Sequence, residues 1–221
     1  MPESIFERIN KDNAMFSSTT GPDQYRNNIL TRAVIGKVFN LPTILTTSAE
    51  TGPNGPLPKE IVDMHPDAPF IKRNGELNAW DNSDFRKVTG KKQVILGGIV
   101  TDVCTAFLAL SLAVGGYTVY ANTDASGIMS KEAAADANDR MRAVGAHVLS
   151  GFAVVCDLMQ GWRNIPGSRE LMPYFDTIWV FLLDISRRTY AYLSRGDAAG
   201  ISMAKLFQGR RTLRKDGVVT R

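Results

Sequence analysis

The sequence is poor in the residues that advertise a metal centre or a disulfide framework. It holds two cysteines, Cys104 and Cys156, and two histidines, His65 and His147, in 221 residues. No CxxC or HxxxH spacing occurs, so the pattern of a zinc site is missing. Two thiols on apolar segments fit reduced cysteines better than a stapled scaffold. Internal repeats and low-complexity tracts are also lacking. The longest apolar runs, around VILGGIV and TIWVFLL, are too short to span a bilayer and run into Asp102 and Asp184. The first 20 residues lack the basic start and apolar centre of a secretory signal, and their acidic residues argue against a transit peptide. These absences predict a cytoplasmic protein with no membrane partner.

The net charge of +4 belongs to one end of the chain. From residue 187 onward, nine Lys/Arg face only Asp197 and Asp216, a net +7, which leaves 17 basic and 20 acidic side chains before it. Aromatics are sparse in this tail beyond Tyr190, Tyr192 and Phe207, and no nucleic-acid motif is present. A solvated extension over 176–221, with no nucleic-acid partner, is the reading.

What is present is an alternation of apolar runs and helical patterns. Short, β-branched, continuous runs predict buried strands at 41–48, 92–100, 117–126 and 146–150. Apolar spacing with a terminal Gly or Asn predicts helices over 22–40, 103–116 and 131–145. This rhythm implies an α/β fold: a parallel sheet flanked by helices on both faces, in one domain over 1–175. The proline-rich segment 50–70 reads as a loop beside the exit of the 41–48 strand, where loops commonly build substrate pockets. In such sheets ligands bind at the carboxyl ends of strands, and Cys104 lies there in GGIVTDVCTAF.

A thiol at a helix start has two readings. The unpaired N–H groups and partial positive charge of a helix terminus stabilise a thiolate, and the same groups can bind an oxyanion. Cysteine is equally a common buried residue, and Cys156 in GFAVVCDL reads as core packing. His65 reads as loop surface and His147 as a strand edge, so a Cys-His pair is not favoured. A carboxylate base and a cationic partner remain open.

Four motifs now converge. NLPTILTTSAETGPNGPLP (40–58), FIKRNGELNAWDN (70–82), IVTDVCTAF (99–107) and VYANTDASG (119–127) together resemble the isochorismatase-like cysteine hydrolases, in their YcaC-like branch. The similarity spans roughly residues 22 to 164. It implies a Rossmann-like, three-layer parallel α/β fold, with Cys104 as nucleophile and Arg73 as the basic member of a triad. It implies that Asn78 and Trp80 line the substrate pocket, although turn formation and core packing account for them equally. The Val100–Thr101 bond matches the position of a non-proline cis peptide beside the oxyanion-binding N–H groups. The resemblance further implies a homo-oligomer, a small-molecule substrate, and a thioester mechanism that needs no metal or organic cofactor.

The pattern breaks at one place. The family's first strand ends in the triad aspartate, whereas this chain passes from INKDNA (9–14) directly to MFSSTTGPDQYRNN, so that strand is lacking. Asp12, Asp23 and Asp102 are candidates to replace the carboxylate, and Asp102 reads equally as a helix cap. Two functions stay open: a cysteine-dependent hydrolase of an amide, ester or related small molecule, and an inactive or incomplete form acting in binding or assembly.

Overall fold

The computed structural model describes residues 22–171 and Tyr174, apart from Pro53 and Lys91. The predicted boundary near 175 and the basic extension lie outside the described residues, as does Asp12.

Helix α1 (Pro22–Val38) opens with a proline, whose fixed φ suits the first helical turn. It buries two stripes. Tyr25, Ile29 and Ala33 join one apolar cluster, and Val34, Ile35 and Phe39 join another. The helix is followed by Asn40 in a left-handed conformation, φ 49°. Strand β1 (Leu45–Ser48) pairs in parallel with β2 (Phe70–Arg73), in the register Leu45 to Phe70 and Ser48 to Arg73. Between them the proline-rich segment carries a short helix, α2 (Lys59–Met64), which starts after Pro58.

Beyond β2 come a 3₁₀ turn (Ala79–Asp81) and α3 (Ser83–Val88), capped by the Asn82 side chain, which accepts from the N–H groups of Asp84 and Phe85. Strand β3 (Gln93–Leu96) leads into a π-helical turn (Thr101–Thr105) and α4 (Ala106–Val114). Strand β4 (Thr118–Asn122), α5 (Lys131–Ala143), β5 (His147–Leu149) and α6 (Gly151–Met159) complete the described fold. Strands β3, β4 and β5 form a second parallel sheet in that order, with Gln93 opposite Thr118 and Tyr120 opposite His147.

Alternation along β4 shows the layering. Val119 and Ala121 pack with Ala109 and Leu112 of α4 and Met141 of α5, whereas Tyr120 packs with Val34 and Ile35 of α1 and Val155 of α6. Helices therefore cover both faces, as the alternation predicts. Burying a side chain such as Leu112 contributes about 1.5–3 kcal/mol.

Three elements differ from the sequence reading. Residues 92–100 are not one strand, because β3 stops at Leu96 and the chain turns through Gly97 and Gly98. Strand β2 carries Lys72 and Arg73 within only four residues, too short and too charged to announce itself. The segment around Cys156, legible in the sequence only as core, is helix α6, and its start is marked by Ser150, whose side chain accepts from the Ala153 N–H at 3.3 Å.

The break in the sequence pattern has a structural counterpart. The described strands form two sheets, β1–β2 and β3–β4–β5, with no ladder joining β1 to β3.

Candidate active site

A cavity of about 200 Å³ lies between the two sheets. Ile44 to Ser48 form one wall, and Leu96 to Ile99 form the other. Arg73 and Cys104 both reach it, together with Arg32 of α1.

Arg73 ends β2 and is buried, at 8 % exposure. Its Nε donates to Thr46 Oγ1 at 3.0 Å, and its Nη1 donates to the carbonyls of Glu76 and Leu77. These bonds tie β1 to the loop after β2, which Ser48 Oγ and Asn82 Nδ2 hold from other sides through Glu76. Burial lowers the guanidinium's pKa, while the charges at Cys104 and Glu76 raise it.

Cys104 lies in the π-helical turn. Burial pushes its thiol above the ordinary value. Arg73 opposes that change, as do backbone hydrogen bonds at Val100 and Cys104, and the nearby Asp102 reinforces it. The helix start thus softens the cost of ionisation without reversing it. Of the opposing effects, desolvation outweighs the cation and the N–H groups.

Asp102 does not cap the helix. Val100 holds the cap position with no side-chain hydrogen bond, and Asp102 Oδ1 is buried without a partner among the described residues. The non-proline cis bond is Ile99–Val100, one bond earlier than Val100–Thr101. Thr101 is committed elsewhere: its N–H and its Oγ1 both donate to the Gly127 carbonyl at 2.8 Å. Thr101 therefore anchors the turn, and the backbone groups at the sulfur are those of Val100 and Cys104.

Asn78 and Trp80 do not line the cavity, which Leu77 and Ala79 reach instead. Asn78 Nδ2 donates to Ser111 Oγ at 2.9 Å, and its Oδ1 accepts from the Trp80 N–H. Trp80 packs edge-on against Tyr117, centroids 5.5 Å apart. Asn78 caps the 3₁₀ turn from an extended conformation, and Trp80 packs with the core beside Tyr117.

The histidines are structural. His65 Nε2 bonds the Ala33 carbonyl at 2.8 Å, and His147 stacks on Tyr120 at 4.8 Å. Cys156 packs against the α1–α6 cluster. No cluster of His, Cys, Asp or Glu among the described residues has the shape of a metal site.

Arg32 carries no motif that marks it in the sequence. Its signal there is spacing, since Tyr25, Ile29 and Arg32 fall at i, i+4 and i+7 on one helix stripe. Its Nη1 is sealed from solvent without a partner among the described residues, and burial lowers its pKa.

A family model described as "Isochorismatase domain" matches residues 29–151. The chain is 47 % identical over 172 residues to "Probable hydrolase YcaC" of Escherichia coli (strain K12), covering 71 % of this chain and 83 % of that protein. A crystal structure of the Escherichia coli YcaC product, described as an octameric hydrolase of unknown specificity, is 45 % identical with a TM-score of 0.70, covering 79 % of this chain and 84 % of that one. YcaC from Pseudomonas aeruginosa, with hexane-2,5-diol and covalent acrylamide, is 48 % identical with a TM-score of 0.66, covering 73 % and 84 %. On the family model and these identities, the chain belongs to the isochorismatase family of hydrolases, in its YcaC-like branch.

Proposed function

We propose that the protein is a cysteine-dependent hydrolase that opens a small amide, ester or related substrate through a thioester on Cys104. The observation that carries this reading is the meeting of Cys104 with buried Arg73 on one cavity. In the acylation step the Cys104 thiolate attacks the carbonyl carbon, a C–S bond forms, and the electron pair moves to the carbonyl oxygen. In this reading the backbone N–H groups that act on the sulfur, at Val100 and Cys104, also stabilise that oxyanion. Collapse expels the amine or alcohol, which takes up a proton, and water then hydrolyses the thioester. The covalent acrylamide in the Pseudomonas aeruginosa relative supports the reading, since acrylamide is an electrophile that thiolates attack.

The opposing reading, a chain that binds or assembles without turnover, is favoured by one observation. The residues lining the cavity include no Asp, Glu or His among those described. Incubation with a panel of small amides and esters, followed by intact-mass detection of an acylated chain, separates the two. Acylation that disappears in Cys104→Ser supports the hydrolase, and no adduct or turnover across the panel supports the inactive form.

Assembly into a homo-oligomer belongs to the same proposal. The Escherichia coli relative is octameric, and Val114, Met129 and Ile165 expose 87 %, 64 % and 86 % of their surfaces here. Sedimentation tests it, and a monomer at micromolar concentration would overturn it. A cytoplasmic setting is likewise proposed; among the described residues no helix is long and apolar enough to cross a membrane.

A further inference from the structure

Two polar groups in the wall of the cavity are sealed from solvent and make no hydrogen bond among the described residues: Arg32 Nη1 and Thr105 Oγ1. They stand beside consecutive glycines at the end of β3. A Cβ placed on Gly97 would meet Arg32 Nη1 at 2.2 Å, and one placed on Gly98 would have Thr105 Oγ1 at 3.6 Å. Glycine at 97 therefore makes room for the guanidinium, and the hydroxyl lies against its neighbour. Thr105 is 3 % exposed. A threonine in a helical turn commonly returns its hydroxyl to the carbonyl four residues back, but here that carbonyl, of Thr101, accepts from the Ala106 N–H and not from Thr105 Oγ1. Arg32 does have charge beside it. Asp124 and Tyr25 both favour its charged form. Neither supplies the missing acceptor. The Asp124 carboxylate accepts from the Gly151 N–H at 2.9 and 3.0 Å and from Asn122 Nδ2, and burial pushes the Tyr25 phenol well above its ordinary pKa, so that it stays neutral. Asp124 thus offsets the cost of burying the guanidinium and leaves its donor unused.

We infer that Arg32 and Thr105 form a subsite for a carboxylate on the acyl chain of the substrate, which directs the reaction at Cys104 to short amides or esters that carry a second, free acid group. Both protein groups are donors, and an ionised carboxylate offers acceptors only, so each finds a partner without a new unmatched proton. A neutral amide in the same place would bring N–H donors to a wall that includes no Asp or Glu among the described residues. One guanidinium nitrogen and one hydroxyl also match the two oxygens of a carboxylate, whereas a phosphate would leave an oxygen over. Arg73 adds a second positive charge to the lining. The cavity is small. Its volume of about 200 Å³ lies below the roughly 300–1,000 Å³ of sites that take drug-sized ligands, which limits the acyl chain to a few carbons. The chemistry at the sulfur rests on the reading of Cys104 as nucleophile, and binding of the acid group does not.

Competition against alkylation tests the subsite without needing turnover. In the full chain, glutarate should slow labelling of Cys104 by iodoacetamide, and glutaramide, its neutral diamide, should not. Labelling of Cys156 should respond to neither. Thr105→Val keeps the shape of the side chain and removes the hydroxyl, and Arg32→Leu removes the cation. Each should raise the glutarate concentration that gives half protection by about tenfold or more, the worth of one hydrogen bond to a charged group. Arg32→Lys should keep part of the protection, which separates loss of the cation from loss of the fold, and Thr105→Val decides the matter if Arg32→Leu does not fold. In turnover, kcat/KM for glutaramate should exceed that for pentanamide by at least about tenfold, and Arg32→Leu should erase the preference. Four results overturn the inference: no protection by glutarate, equal protection by glutaramide, equal protection by inorganic phosphate, or protection unchanged in Thr105→Val and the Arg32 variants. Protection by glutarate with no hydrolysis of either amide would sink the hydrolase reading and leave the subsite standing.

Discussion

Arg73 and Cys104 face one cavity from two sheets that share no hydrogen-bond ladder among the described residues. Arg73 ends β2, Cys104 follows β3, and the guanidinium partly offsets the burial that raises the thiol. Their pairing depends on tertiary packing rather than on either strand.

The first prediction concerns pH. The thiolate is the alkylating species, and burial raises the Cys104 pKa, so labelling should be slow at neutral pH and climb beyond the free-thiol value of about 8.5. Cys156, pushed up to about 11 by burial and by Asp157, should lag behind it. Peptide mapping after iodoacetamide pulses between pH 6 and pH 10 reads both sites; a Cys104 inflection well under 8, or a faster Cys156, contradicts the burial argument.

Arg73→Met removes the cation that favours the thiolate. The Cys104 inflection should move to higher pH, and labelling at a fixed pH below it should fall about tenfold for every pH unit that it moves. The carbonyls of Glu76 and Leu77 also lose their donor, so a urea melt should show about 1–3 kcal/mol of destabilisation. Unchanged labelling would remove Arg73 from the site.

Asp102→Asn distinguishes a repulsive charge from a base. Asp102 raises the thiol pKa, so its neutralisation should speed Cys104 alkylation. Slower alkylation would instead make Asp102 the proton acceptor.

Leu112 and Val114 sit two residues apart on α4 with opposite surroundings, 0 % and 87 % exposed. Leu112→Ala should cost about 2–5 kcal/mol by leaving a cavity. Val114→Asp should change the stability of a lone chain by less than about 0.5 kcal/mol. In an assembly that buries this face, the same change should move the sedimenting species toward smaller oligomers. Identical sedimentation would place the interface elsewhere.

Much of the site is visible in the chain itself. The Gly-Gly exit of β3 and the apolar run after Cys104 place the thiol at a strand's carboxyl end, and four motifs together point to the family. The proline-rich segment likewise marks the wall opposite β3, since Asn54, Gly55 and Pro56 line the cavity. Asn78 and Trp80 lie outside the lining of this cavity, and a motif names residues without giving the direction of their side chains. The local backbone gives that direction, with Asn78 bonded to Ser111 and Trp80 packed on Tyr117.

The sequence by itself determined the parallel α/β class, helices α1, α4 and α5 and the identity of the nucleophile candidate, because apolar period, caps and turn residues are local properties. Only the tertiary structure decided that no ladder joins β1 to β3 among the described residues, that Arg32 is buried against Gly97 beside Tyr25 and Asp124, and that Cys104 is desolvated enough for burial to outweigh Arg73. Those outcomes turn on which distant segments exclude water from one another, and no window of neighbouring residues contains that information.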